Sequence, residues 1–160
     1  MQGTKILTSL HNNLVGGIEV DGVIRFDQNG TIDFTFNMSG VTPPREAFIV
    51  LPDNSLLVGE SGGTFAYVRK RTADGAIDPS LNSSSHEWYN GHIRSMARQS
   101  TGDILVSHDI SGQYEYIDRI KANGDLDFSF NQFLDFQANV MRVQADDKVI
   151  VGGYHVYGAA

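Results

Sequence analysis

Asn29-Gly30-Thr31-Ile32-Asp33-Phe34-Thr35-Phe36-Asn37 returns twice in the chain, as Asp74-Gly75-Ala76-Ile77-Asp78-Pro79-Ser80-Leu81-Asn82 and as Asn123-Gly124-Asp125-Leu126-Asp127-Phe128-Ser129-Phe130-Asn131. The spacing from Gly30 to Gly75 to Gly124 is 45 and then 49 residues, the mark of an array of like units. Each copy follows a stretch that reads as a short strand: Val23–Phe26, Tyr67–Arg71 and Tyr116–Ile120. Asn-Gly or Asp-Gly between such a stretch and another apolar residue predicts a hairpin, with a type I′ turn at each glycine.

A second hairpin stands in each unit. Phe48 to Gly59 turns at Pro52-Asp53-Asn54, Met96 to Ser107 at Thr101-Gly102, and Met141 to Gly152 at Asp146-Asp147. Behind each turn lies an apolar triplet, Leu56-Leu57-Val58, Ile104-Leu105-Val106 or Val149-Ile150-Val151. A continuous apolar run of this length predicts a strand buried on both faces. Four short strands per period, with no helical periodicity between them, predict an all-β fold, a β-propeller-type repeat of four-stranded antiparallel blades. The expected layout is a single repeat domain over 1–160 with about three blades, 5–52, 53–100 and 101–147, and a closing or shared strand region at 148–160. A β-sandwich is the structural rival, but it needs no repeated phrase.

Asp147-Lys148-Val149-Ile150-Val151-Gly152-Gly153 and Arg119-Ile120-Lys121-Ala122-Asn123-Gly124-Asp125-Leu126-Asp127-Phe128-Ser129-Phe130-Asn131 resemble the two halves of the delta-60 repeat, found in bacterial and phage β-propellers. The resemblance spans nearly the whole chain. It implies a propeller fold and an extracellular or virion setting, and it brings no catalytic set. Three departures stand out: Gly102 one position early, Ser107 in place of glycine, and Pro79-Ser80-Leu81 in place of an aromatic pair.

Composition narrows the function. Hydrophobic content of 41% and charged content of 19% describe a folded protein. A net charge of −7 argues against a nucleic-acid partner, which calls for clustered cations; Arg69-Lys70-Arg71 lies on a strand, where neighbours face opposite ways. With no cysteine, disulfides and thiolate chemistry drop out. No stretch has the length of a membrane span, and Met1 to Leu7 shows no apolar signal-peptide region. No cofactor is expected.

Asp27, Asn29 and Asp33 resemble part of a calcium loop. The other copies carry Thr72 and Lys121 where the first has Asp27, and a lysine there repels a metal, so the recurring aspartates are expected to bind turn backbone. The stretch Ser83 to His92, read as a connection between blades, departs most from the repeat. Its His86, Trp88, Tyr89 and His92 are the candidate ligand-binding residues, because aromatic side chains on a loop suit glycan or peptide contacts. For Trp88 a place in the core is the equal alternative. His86-Glu87 lacks the second histidine of a zinc-protease helix, since position 90 is Asn90. Ser107-His108-Asp109 cannot form a relay along one strand.

The expected function is a non-catalytic structural or recognition element, binding protein or glycan. The alternative is a glycan-cleaving hydrolase or lyase using carboxylates at the propeller mouth, with Asp103 and Asp109 or Asp118 and Asp125 as the pairs. Ends that fall in mid-blade lead to a further expectation: either the chain is a segment of a longer protein, or it is covered by head-to-tail self-association or a neighbouring protein, with two chains closing a six-bladed ring as the simplest closure.

Overall fold

The computed structural model describes residues 5–15, 17–36, 47–61, 64–81, 87–89, 91–110 and 114–154. They form twelve strands and no helix: β1 (Ile6–Val15), β2 (Ile18–Phe26), β3 (Phe48–Val50), β4 (Leu56–Ser61), β5 (Phe65–Arg71), β6 (Glu87–Tyr89), β7 (Ile93–Arg98), β8 (Ile104–Ile110), β9 (Tyr114–Ile120), β10 (Leu126–Leu134), β11 (Gln137–Val143) and β12 (Val149–Tyr154). The all-β class is as expected. Strands β3 to β6 and β7 to β10 make two four-stranded antiparallel meanders, flanked by the two-stranded sheets β1-β2 and β11-β12. Among the described residues the four sheets form an open row, with no closed ring or barrel.

Alternation along the central strands explains the row. Leu56 and Val58 pack with Val23 and Leu7 of the first sheet. Leu57, Val68 and Trp88 point the other way, onto Ile93, Met96, Ile104 and Val106. Leu105 and Ile117 meet Met141, Val149 and Val151 of the last sheet. A triplet buried on both faces thus serves two interfaces, and in β8 six consecutive residues, Ile104 to Asp109, are buried. The third triplet departs from its expected burial: Val149 and Val151 face the core, whereas Ile150 is exposed.

Gly59 sets the spacing of one interface. A Cβ built there would lie 2.9 Å from the Cβ of Ile93 in the next sheet, so the large isoleucine seats on bare backbone. One unit later the sizes are exchanged: Ser107 stands over Ala138, its hydroxyl donating to the Ala138 carbonyl at 2.8 Å. The serine that departs from the repeat is matched by a small neighbour.

The repeated turns differ in type from the expectation. Gly30, Gly75 and Gly124 have φ of 83°, 91° and 94°, but the Asn or Asp before each does not have positive φ. The Gly30 N–H donates to Asp27 O, and the Asp27 N–H to Thr31 O; the same pairs recur at Thr72 and Lys121. This is a type I turn closed by a glycine bulge, which needs one left-handed residue where type I′ needs two. The other hairpins use the same device with Asn54, Gly102 and Asp147 at the left-handed position. Gly102 is therefore in register with its counterparts.

The fourth strand also lies elsewhere than expected. After the turns, Ile32 and Ile77 make only isolated bridges to Phe26 and Arg71. Pairing resumes at Glu87–Tyr89 in one sheet and at Asn131 in the other. The segment carrying Trp88 is a strand; in the second copy the repeated phrase is an insertion between strands three and four, and in the third it forms the bulged start of β10.

Candidate functional site

The insertion is held by one aspartate. Asp33 Oδ1 accepts the Thr35 N–H at 3.0 Å and its hydroxyl at 2.6 Å. Asp127 does the same with Ser129, at 3.1 and 2.6 Å, and Asp78 accepts the Ser80 N–H at 2.9 Å. Each is also paired with the basic residue eight positions earlier: Arg25 with Asp33 at 2.9 Å, Lys70 with Asp78 at 3.0 Å, Arg119 with Asp127 at 2.6 Å. The Ser129 hydroxyl and Arg119 hold Asp127 down at about 2. The Ser80 N–H and hydroxyl, with Lys70, do the same for Asp78. The Thr35 hydroxyl and Lys5 push Asp33 lower still. As expected of the recurring aspartates, they bind turn backbone.

Lys5 lies at the calcium candidate. Its ammonium bonds to Asp27 and lies 3.0 Å from Asp33, so the two carboxylates of the candidate loop share a cation supplied by the chain. Asn29 points its side chain at the Thr31 N–H. No metal-holding group of His, Asp and Glu occurs among the described residues. The Asn29 and Asp33 side chains serve the turn, and that of Asp27 pairs with Lys5.

The remaining candidates scatter. His86 lies outside the described residues, and of Tyr89 only the backbone is described, paired with Phe65. Trp88 takes the alternative the sequence left open: it is buried in the interface between the two large sheets. Its indole N–H donates to Asp118 Oδ2 at 2.8 Å, and its ring packs on His108 with centroids 4.6 Å apart. His108 Nε2 meets the same Asp118 oxygen at 2.9 Å, and the Asn131 amide donates to the other at 2.6 Å. Burial opposes ionisation of Asp118, but the His108 and Trp88 hydrogen bonds outweigh it and hold the carboxyl below its usual range.

The preceding sheet shows what this network is. Glu60 on β4 and Arg69 on β5 hold the positions that His108 and Asp118 hold on β8 and β9. They pair at 3.1 Å, with Arg71 adding a second contact to Glu60 at 2.7 Å. The acid and the base have changed places between units. Both pairs are cross-strand fillers of a sheet interface, buried apart from the half-buried Arg69.

Of the two candidate ligand residues whose side chains are described, Trp88 is buried and His92 reaches the surface. Its Nδ1 lies 3.3 Å from both oxygens of Asp109, which is buried and also bonded by Arg94. Arg94 reaches on to Glu115 at 3.2 Å. Burial raises the Glu115 carboxyl above its usual range, against the pull of Arg94. These four residues, with the exposed rings of Phe65 and Tyr114, sit at the starts of β5, β7 and β9 and the end of β8. They occupy the end of the sheets opposite the glycine turns. Sequence reading missed Arg94 and Glu115, for neither belongs to the repeated phrase. Strand alternation was the available signal, since it places 92, 94, 109 and 115 on paired strand ends.

Neither carboxylate pair of the hydrolase alternative comes together. Asp103 and Asp109 bracket β8 at opposite ends, about 20 Å apart at 3.3 Å per residue. Asp118 is buried under Trp88, while Asp125 binds Asn123 in the exposed turn. Ser107 faces the last sheet and His108 the preceding one, so the adjacent triad residues diverge.

No family model matches the chain, and no curated protein matches it. A crystal structure of a protein of unknown function from Bacteroides caccae is similar, with a TM-score of 0.55 and 14% identity over 94% of this chain. The chain spans about half of that protein, 49% of its length. At this identity the likeness shows a shared fold.

Proposed function

We propose that the chain is a non-catalytic β-propeller-type module of the delta-60 kind, acting as a recognition element for protein or glycan in an extracellular or virion assembly. The observation that carries this reading is the commitment of its acids: Asp33, Asp78, Asp127, Asp118 and Glu60 are each spent on the scaffold. Glycoside cleavage asks for two carboxyl groups about 5 to 9.5 Å apart across a substrate; Asp103 and Asp109, like Asp118 and Asp125, stand apart, while Asp109 and Glu115, opposite each other on β8 and β9, are both tied to Arg94. The surface best suited to contact is the end bearing His92, Arg94, Phe65 and Tyr114, where polar donors flank exposed rings.

A panel of polysaccharides tests the reading. Retardation in affinity gels without release of reducing ends is expected. His92→Ala with Tyr114→Ala should weaken binding roughly tenfold, about 1.4 kcal/mol, while the thermal midpoint stays near that of the wild type. Release of reducing ends by the wild type would overturn the proposal.

A further inference from the structure

The two faces at the ends of the row are copies of faces that the chain covers elsewhere. Ile150 on β12 holds the position of Leu57 on β4 and Leu105 on β8. Those two are 3% and 0% exposed, because the next sheet packs on them, and Ile150 is 58% exposed. At the other end, Ile6 on β1 holds the position of Leu56 and Ile104, which are 0% and 5% exposed under the preceding sheet, and it is 43% exposed. Ile24 and Phe26 lie on the same face as Ile6, and Val140 and Gly152 on the same face as Ile150, by strand register. Gly152 repeats Gly59, the bare-backbone seat that takes Ile93 in the covered interface.

We infer that a second copy of this chain covers both faces, its first sheet seated on the last sheet of its partner and its last sheet receiving the partner's first. The occupant follows from the fold. The interface in question is built within one chain three times, always between the outgoing face of one sheet and the incoming face of the next, and the first sheet carries the incoming face. Two such contacts related by a two-fold axis close a ring. Each chain supplies four sheets, so the pair holds eight layers, within the range of propellers, where the sequence had suggested six. The inference rests on the propeller-type reading of the proposed function.

In the covered interface Leu57 and Ile104 share one cluster, which places Ile150 of one chain against Ile6 of the other. Light scattering at micromolar concentration should give twice the 17.6 kDa of one chain. Ile150→Asp alone and Ile6→Lys alone should each give monomers with the wild-type circular dichroism spectrum. Mixed together they should restore the dimer, since one contact then pairs aspartate with lysine and the other is wild type. A wild-type monomer, a larger open assembly, or a mixture that stays monomeric would each overturn the inference. These results leave the recognition reading intact, because that reading is decided by binding and reducing-end release.

Discussion

At the scale of single residues the chain spends its acids on geometry. Asp127 is typical: the Ser129 hydroxyl, then Arg119, hold its carboxyl at about 2 against an ordinary 3.8. A carboxyl depressed in the folded state contributes stability that is fully present above the unfolded value and is lost as pH falls through the folded one. Asp78 titrates in the same window and Asp33 below it. The thermal midpoint should therefore fall steadily as pH drops from about 4 to about 2, and Asp127→Asn should flatten that fall. In a carbon-detected titration, Ser129→Ala should move the Asp127 midpoint up toward the ordinary value; an unmoved midpoint would remove the hydroxyl as the chief cause. The repeat of Asp33, Asp78 and Asp127 was legible in the sequence, and so was their backbone-binding role, because three copies served as controls for one another. Their basic partners eight residues back recur just as regularly, yet a pair closed across a turn becomes visible only when the turn is folded.

Among elements, the strands were legible wherever burial wrote an apolar triplet, and illegible where the sheet edge needed no such run. Glu87–Tyr89 is three residues long at the edge of its sheet, too short to carry a period, so Trp88 read as part of a connection. Its burial comes from its partners Asp118 and His108, which lie one sheet away in space and carry no mark in its own segment. Packing between elements can be tested through the exchange of sizes at Gly59 with Ile93 and Ser107 with Ala138. Gly59→Ser alone should destabilise by about 1 to 3 kcal/mol through overpacking, and Ile93→Ala alone by about 2 to 5 kcal/mol through the cavity it leaves. Together they rebuild the Ser107 and Ala138 arrangement, with a serine hydroxyl over a small residue. Denaturant unfolding of the double variant should show a loss well below the sum of the two. Strict additivity would mean that the two interfaces are not built alike.

For the whole molecule, a row of sheets in which each touches its neighbours in the chain makes cover depend on position in the row. Leu105 and Ile150 are the same residue position in successive units, one covered by the next sheet and the other at the open face of the last sheet. In an Ile6→Lys background, where contact between chains is blocked, Leu105→Ala should cost about 2 to 5 kcal/mol. Ile150→Ala in that background should cost less than about 1 kcal/mol, since little of its side chain leaves water on folding. Chevron and equilibrium denaturation measurements on the two variants compare them directly. Equal costs would mean that Ile150 is covered within its own chain, and the open row would then have to be redrawn with something lying over β12.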